Sequence, residues 1–261
     1  MSRSLRVSLV QADTVWEDPA ANRRALETAT AGLAGGTDLV VLPEMFATGF
    51  SMQPERLAED PDGPTAQWMS IVARRLDAAV TGSVITRDSG RHFNRLYWAS
   101  PDGALLHYDK RHLFRMGGED QHYAAGAEGL IVAWRGFRVA PQVCYDLRFP
   151  VWSRRRSGYD YDLLLYVASW PAARRHAWRS LLVARAIENQ CYVAGVNRVG
   201  PDGRGTAHAG DSVVHDFLGQ PLVELGAGAE VATVALDGGA LDAFRDRFPA
   251  QLDADRFTLG A

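Results

Sequence analysis

Three residues able to do chemistry stand at the ends of apolar runs. Leu39-Val40-Val41-Leu42-Pro43-Glu44 ends in a carboxylate, and Leu105-Leu106-His107-Tyr108-Asp109-Lys110 ends in an ammonium. Phe137-Arg138-Val139-Ala140-Pro141-Gln142-Val143-Cys144 ends in a thiol, followed by Tyr-Asp-Leu-Arg-Phe-Pro. Of the 28 basic side chains, Lys110 is the only lysine and the other 27 are arginines. A chain that uses arginine wherever a guanidinium serves keeps lysine where a compact ammonium or a tunable pKa is needed. Brought to one place, the three form the set that a thiol-dependent hydrolase needs: Glu44 as base, Cys144 as nucleophile and Lys110 to receive charge on an oxyanion.

Singly, each has a plainer explanation. A glutamate after a strand suits a helix N-terminus. A free cysteine suits a core, and Cys191, in Gln190-Cys191-Tyr192-Val193-Ala194, reads as the start of an interior strand. Lys110, beside Asp109, Arg111 and His112, suits a solvated charge cluster. The weight therefore rests on the combination.

Other machinery is missing. No GxxxxGK[ST] is present, and Gly200, Gly203 and Gly205 do not make a GxGxxG. Histidines occur without HExxH or CxxC, which argues against a zinc site, and no GxSxG elbow marks a serine hydrolase. A net charge of −3 removes the electrostatic footprint of a nucleic-acid binder. Two cysteines cannot make a disulfide scaffold. The longest apolar stretch, 163–168, is far shorter than the roughly 20 residues a membrane span needs. Gln11 and Asp13 interrupt what would be a secretory apolar region. The expectation is a soluble cytoplasmic protein that binds neither nucleic acid nor membrane.

The elements that must position these residues can be read from periodicity and punctuation. Residues 5–11 alternate as a strand, and Asp18-Pro19 caps a helix through about Leu33, ended by Gly35-Gly36. Residues 38–42 form a wholly apolar strand, as expected where both sheet faces are covered. Gly63-Pro64-Thr65 opens a helix to about Leu76, and 79–86 is the next strand. Hairpins follow at 93–108 around Pro101-Asp102-Gly103 and at 130–143 around Arg135-Gly136. Strand 162–168, helix 175–190 and strand 191–197 restore the βα alternation. A last hairpin turns through Phe217-Leu218-Gly219, and strand 230–236 precedes a C-terminal helix. Hairpins within a βα series predict mixed sheets in an α/β fold, and the absence of a linker predicts a single domain over 1–261.

The combination resembles the nitrilase superfamily of carbon–nitrogen hydrolases. Its Glu–Lys–Cys triad is matched by Glu44 in LPEMFATGF, Lys110 in YDKRHLF and Cys144 in QVCYDLRFP, at separations of 66 and 34 positions. The stretches LLLYVASWPAARRHAWRSLLVARAIENQCYVAGVNRVG and GDSVVHDFLGQPL extend the similarity from about Leu5 to Leu236. The resemblance implies a four-layer α-β-β-α sandwich with mixed sheets. It also implies a homodimer or larger assembly paired through helices, and no metal or organic cofactor. The family's second glutamate is matched best by Glu119 in HLFRMGGEDQHYAAG, with Asp120 and Glu128 as nearby acids. The backbone N–H of Tyr145, after the nucleophile, would join Lys110 in receiving oxyanion charge.

PEMFATGF, CYDLRFP and ASWPAAR look most like the ω-amidase-like branch. That resemblance implies hydrolysis of the terminal amide of a small dicarboxylic monoamide, such as 2-oxoglutaramate, through a cysteine thioester. A substrate carboxylate calls for a bidentate arginine. Arg174 and Arg175 are candidates, although both equally suit an exposed helix start; Trp170 and Phe50 are candidate apolar walls. The same triad would serve a nitrilase or an N-carbamoyl or other small-amide hydrolase. A non-catalytic binding protein of this fold is the reading furthest from the intact triad.

Overall fold

Local signals set the first half. Asp18 accepts a hydrogen bond from Ala21 N at 2.9 Å and Pro19 occupies the first helical turn, so a helix starts there. The computed structural model describes residues 3–259, so the outermost residues of the expected 1–261 domain lie outside the described residues. The chain runs β1 (Ser4–Gln11), α1 (Pro19–Thr30), β2 (Leu39–Val41), α2 (Pro54–Leu57) and α3 (Pro64–Leu76). It continues through β3 (Ala79–Asp88), β4 (Arg91–Ala99), β5 (Leu105–Asp109) and α4 (Glu119–His122).

The second half comprises β6 (Val132–Trp134), β7 (Phe137–Val143), α5 (Pro150–Ser153), β8 (Leu163–Ala168) and α6 (Arg175–Asn189). Then come β9 (Tyr192–Asn197), β10 (Val199–Pro201), β11 (Ala207–Ala209), β12 (Val213–His215) and β13 (Pro221–Glu224). β14 (Glu230–Asp237) and α7 (Gly238–Arg247) close the order.

These strands form two six-stranded mixed sheets, ordered β14-β1-β2-β3-β4-β5 and β13-β12-β9-β8-β7-β6. Each has three parallel strands at its centre, β1-β2-β3 and β7-β8-β9, flanked by antiparallel neighbours. Alternation sorts the side chains of the first sheet. Val40, Leu42 and Val80 pack with Leu26 of α1 and with Met69, Val72 and Leu76 of α3. Leu5, Val7, Leu9, Leu39 and Val41 point the other way, into a core shared with Val139, Val143 and Leu163 of the second sheet. On the far side, α6 covers the second sheet through Trp178, Leu182 and Ala186. Gly195 permits that approach, since a Cβ there would lie 2.6 Å from a Leu182 methyl and 2.8 Å from the Trp178 ring. The result is the expected α-β-β-α sandwich.

Several short elements escaped the sequence reading, the one-turn helices α2, α4 and α5 among them. Residues 199–209, dismissed as a nucleotide motif, form a β10–β11 hairpin outside both sheets. Gly200 sits at φ +77 with the Asp13 carboxylate where a Cβ would go, so glycine is required there. Among the described residues, no helix is long and apolar enough to cross a membrane.

Candidate active site

Parallel strands direct their C-terminal ends the same way, and the functional side chains leave from those ends. β2 leads through Leu42-Pro43 to Glu44, β7 ends just before Cys144, and β8 ends just before Ser169. Lys110 follows β5, and Glu119 opens α4. The two sheets are tied at this point by a hydrogen bond from Glu44 N to Ala168 O.

Cys144 begins a 3-10 turn, Cys144–Arg148, at φ +46, a left-handed conformation that L side chains rarely adopt. Asp146 holds this turn. Its Oδ2 accepts from Val143 N at 3.0 Å and from the Tyr108 hydroxyl at 2.7 Å. Its Oδ1 accepts from His112 N at 2.9 Å and lies 2.8 Å from His112 Nδ1. The Cys144 turn is thus fastened to the residues on either side of Lys110.

The charges meet behind the thiol. Lys110 Nζ donates to Glu44 Oε1 at 2.8 Å and to the two Glu119 oxygens at 3.0 and 2.8 Å. Ser169 N donates to Glu44 Oε2 at 2.9 Å, and Phe114 N to Glu119 Oε2 at 2.6 Å. Glu44, Lys110 and Glu119 are at most 1% exposed and Cys144 is 8% exposed, so the ionic cluster is out of water and the thiol faces the way in.

Burial alone would lower the Lys110 pKa, but the carboxylates of Glu119 and Glu44 outweigh it and raise it. Burial also raises Glu119; the Lys110 charge opposes this and the Glu44 charge adds to it. The Cys144 thiol is pushed well up by burial and by Glu44, with Lys110 pulling the other way. Cys144 therefore rests as a thiol at neutral pH, beside a carboxylate that can take its proton.

Cys144 and Lys110 floor a cavity of about 280 Å³. Phe50, Phe114, Tyr145 and Trp170 give it aromatic walls, with Lys110 Nζ 5.2 Å from the centre of the Phe50 ring. Three arginines line it as well, Arg148, Arg174 and, on the β10–β11 hairpin, Arg204. Arg148 lies over the Trp170 ring at 5.0 Å and Arg174 over the Phe114 ring at 5.4 Å. Among the described residues, none of the three has a carboxylate partner, although most arginines here are paired. The β10–β11 hairpin adds Asp202, Arg204, Thr206 and His208 to the rim. Burial and the nearby Arg198 charge lower the His208 pKa, so this imidazole is neutral at neutral pH.

The fold thus brings Glu44, Lys110, Glu119, Cys144, Tyr145, Phe50, Trp170 and Arg174 together. Arg175 is a correction. It begins α6 and pairs with Asp211 on the surface, Nε to Oδ2 at 2.6 Å and Nη2 to Oδ1 at 2.7 Å. The depression beside it, about 520 Å³ and also lined by His176 and Arg179, holds none of the triad. Sequence reading missed Arg148, Ser169 and Asn94; only Arg148 left a trace, as a charge four residues after the nucleophile.

The sequence pattern of the family described as Carbon-nitrogen hydrolase matches residues 6–246. The chain is 49% identical over 259 residues to "Omega-amidase YafV" of Yersinia enterocolitica, covering 98% of this chain and 99% of that one. It is 34% identical over 236 residues to "2-oxoglutaramate amidase" of Bacillus subtilis, covering 88% and 90%. The crystal structure of XC1258 from Xanthomonas campestris, a CN-hydrolase superfamily protein with an arsenic adduct in its active site, superposes with a TM-score of 0.96. It is 55% identical and covers 98% of this chain and 99% of that one. By sequence over nearly its whole length, and by fold, the chain belongs to the carbon–nitrogen hydrolase family.

Proposed function

We propose that this protein is an ω-amidase-type thiol amidohydrolase that removes the terminal amide of a small carboxylate-bearing amide such as 2-oxoglutaramate. The observation that carries the reading is the cavity itself. A buried cysteine backed by Glu44, Lys110 and Glu119 forms its floor, and Arg148, Arg174 and Arg204, without carboxylate partners among the described residues, line it. The relatives named as ω-amidase and 2-oxoglutaramate amidase support the same substrate class.

In this reading Glu44 takes the proton from Cys144 as sulfur attacks the amide carbon. A thiol with its pKa raised needs such a base at neutral pH. The carbonyl π pair moves onto oxygen, where the Lys110 ammonium and the Tyr145 N–H receive the charge; one such donor is typically worth about 10²–10³ in rate. Glu44 returns its proton to nitrogen, the C–N bond breaks and ammonia leaves a Cys144 thioester. Water, deprotonated by Glu44 and positioned with Glu119, adds to the thioester and expels the thiol, giving the free acid. Arg148 and Arg174 hold the distal carboxylate, their planes steadied on Trp170 and Phe114. We also infer a homodimer or higher assembly through α6, whose exposed Ile187 adjoins Gly219 and the exposed Leu218; sedimentation as a monomer at micromolar concentration would refute that inference.

The test is ammonia release from 2-oxoglutaramate, succinamate, glutamine, an aliphatic nitrile and an N-carbamoyl amino acid, with Cys144→Ala as the blank. Turnover led by the two dicarboxylic monoamides is expected. Turnover led by the nitrile or the carbamoyl compound would overturn the substrate and leave the nucleophile in place.

A further inference from the structure

Asn94 lies on β4, buried at 1% exposure, and bridges the two glutamates. Its Nδ2 donates to Glu44 Oε1 at 2.7 Å and to Glu119 Oε1 at 3.0 Å, one hydrogen for each carboxylate. Its Oδ1 has no hydrogen-bond partner among the described residues. Reversing the amide would aim that oxygen at two carboxylate oxygens, so the two glutamates fix its orientation.

The charges make this bridge consequential. One ammonium serves two carboxylates in a site away from water, and like charges at such range raise the pKa of one of them. The other groups facing the pair are few. Lys110 comes from the end of β5, Cys144 from the turn after β7 and Tyr123 from the end of α4. Phe114 N and Ser169 N each reach one carboxylate. His208 stands one hydrogen bond further off, 3.2 Å from the Ser169 hydroxyl. Of these groups and Asn94, only Asn94 is a neutral side-chain donor reaching both carboxylates.

We propose that Asn94 is a positioning residue that keeps Glu44 and Glu119 ionised together, so that Glu44 is available for the Cys144 proton at neutral pH. The inference rests on the reading of Glu44 as the base. A hydrogen bond to the charged form of a carboxylate lowers its pKa, and losing one moves it up by about one to two units. The acid limb of the activity profile then moves the same way, since the base must be deprotonated to act.

The experiment measures kcat/KM for ammonia release from succinamate between pH 5 and 9.5. The variants are Asn94→Leu, similar in size and without a donor, and Asn94→Asp, which keeps the shape and adds a carboxylate. The acid limb should rise by about one to two units in both. Below the limb the loss should approach about 10–100-fold, vanishing as pH climbs past the shifted limb. A loss uniform across pH, as a purely structural role would give, or an unshifted limb overturns the proposal. If Asn94→Leu does not fold, Asn94→Asp decides on the same profile. Glu44→Gln is run in parallel: its retaining activity would overturn the base assignment, whereas an inactive Glu44→Gln with an unshifted Asn94 limb overturns the Asn94 role alone.

Discussion

Replacing Lys110 by arginine keeps the charge and removes the geometry. The ammonium is fully buried and spreads its donors over three oxygens at 2.8, 2.8 and 3.0 Å, belonging to two carboxylates. A guanidinium presents flat, paired donors and favours one carboxylate edge-on, so it cannot serve Glu44, Glu119 and an oxyanion at once. The extra volume must also displace Phe50, 5.2 Å away, or strand the planar group; overpacking of this kind costs about 1–3 kcal/mol of stability. Loss of the oxyanion contact alone is worth about 10²–10³ in kcat. Lys110→Arg should therefore fold with a lowered Tm and lose at least ~100-fold in kcat/KM. The assay is steady-state ammonia release from succinamate beside a thermal melt. If the variant kept more than about a tenth of wild-type kcat/KM, a loss below about 1.4 kcal/mol, the reasoning from ammonium geometry would be refuted.

Other consequences can be checked with the same protein. Arg148→Leu and Arg174→Leu should each lower kcat/KM for succinamate by about 10–100-fold while leaving a neutral amide such as butyramide within about threefold; equal losses on both substrates would remove the carboxylate assignment. Alkylation of Cys144 by iodoacetamide should keep accelerating past pH 9, because burial and Glu44 hold the thiol up; a plateau near neutrality would contradict that environment. Lys110→Met leaves two buried carboxylates without their cation. Glu119, already raised, rises further, and a carboxyl raised in the fold contributes stability that is present at low pH and lost as pH climbs through its folded value. Its Tm should therefore increase as pH falls from 8 to 5 relative to wild type, and a parallel trend in both proteins would refute the argument. Asp146→Asn should cut kcat by about 10²-fold or more with little change in KM, since misplacement of a nucleophile by ~1 Å costs on that order; an unchanged kcat would show that the turn holds itself.

The sequence exposed the charges more readily than their supports. Lys110 stood out because it is alone among arginines, and Glu44 and Cys144 because each ends an apolar run whose partner strands could be read beside it. Asn94 carried no such mark. An asparagine inside HFNRLYW reads as a weak strand residue, and only the pairing of β4 between β3 and β5 shows it facing two carboxylates. Arg174 and Arg175 were indistinguishable for a related reason. One ends a 3-10 turn and the other starts α6, and until the phase of that helix is known, neighbours cannot be assigned to cavity or surface. Residues 199–209 form a rim hairpin whose glycines, taken alone, signal only turns.

The hydrogen bond between Glu44 N and Ala168 O, like that between Val199 N and Ala12 O, joins segments leaving the two sheets, which pack on each other through their side chains. Glu44 and Lys110 follow strands of one sheet, and Cys144 and Ser169 follow strands of the other. The distance from Glu44 to Cys144 is therefore a gauge of how the two slabs sit on each other, and the greasy filling between them is a spacer as well as a source of cohesion. Trimming Val7 or Val139 in that filling should slow turnover at temperatures where the molecule is still fully folded. Turnover should then report shear between the layers before any melt records their separation.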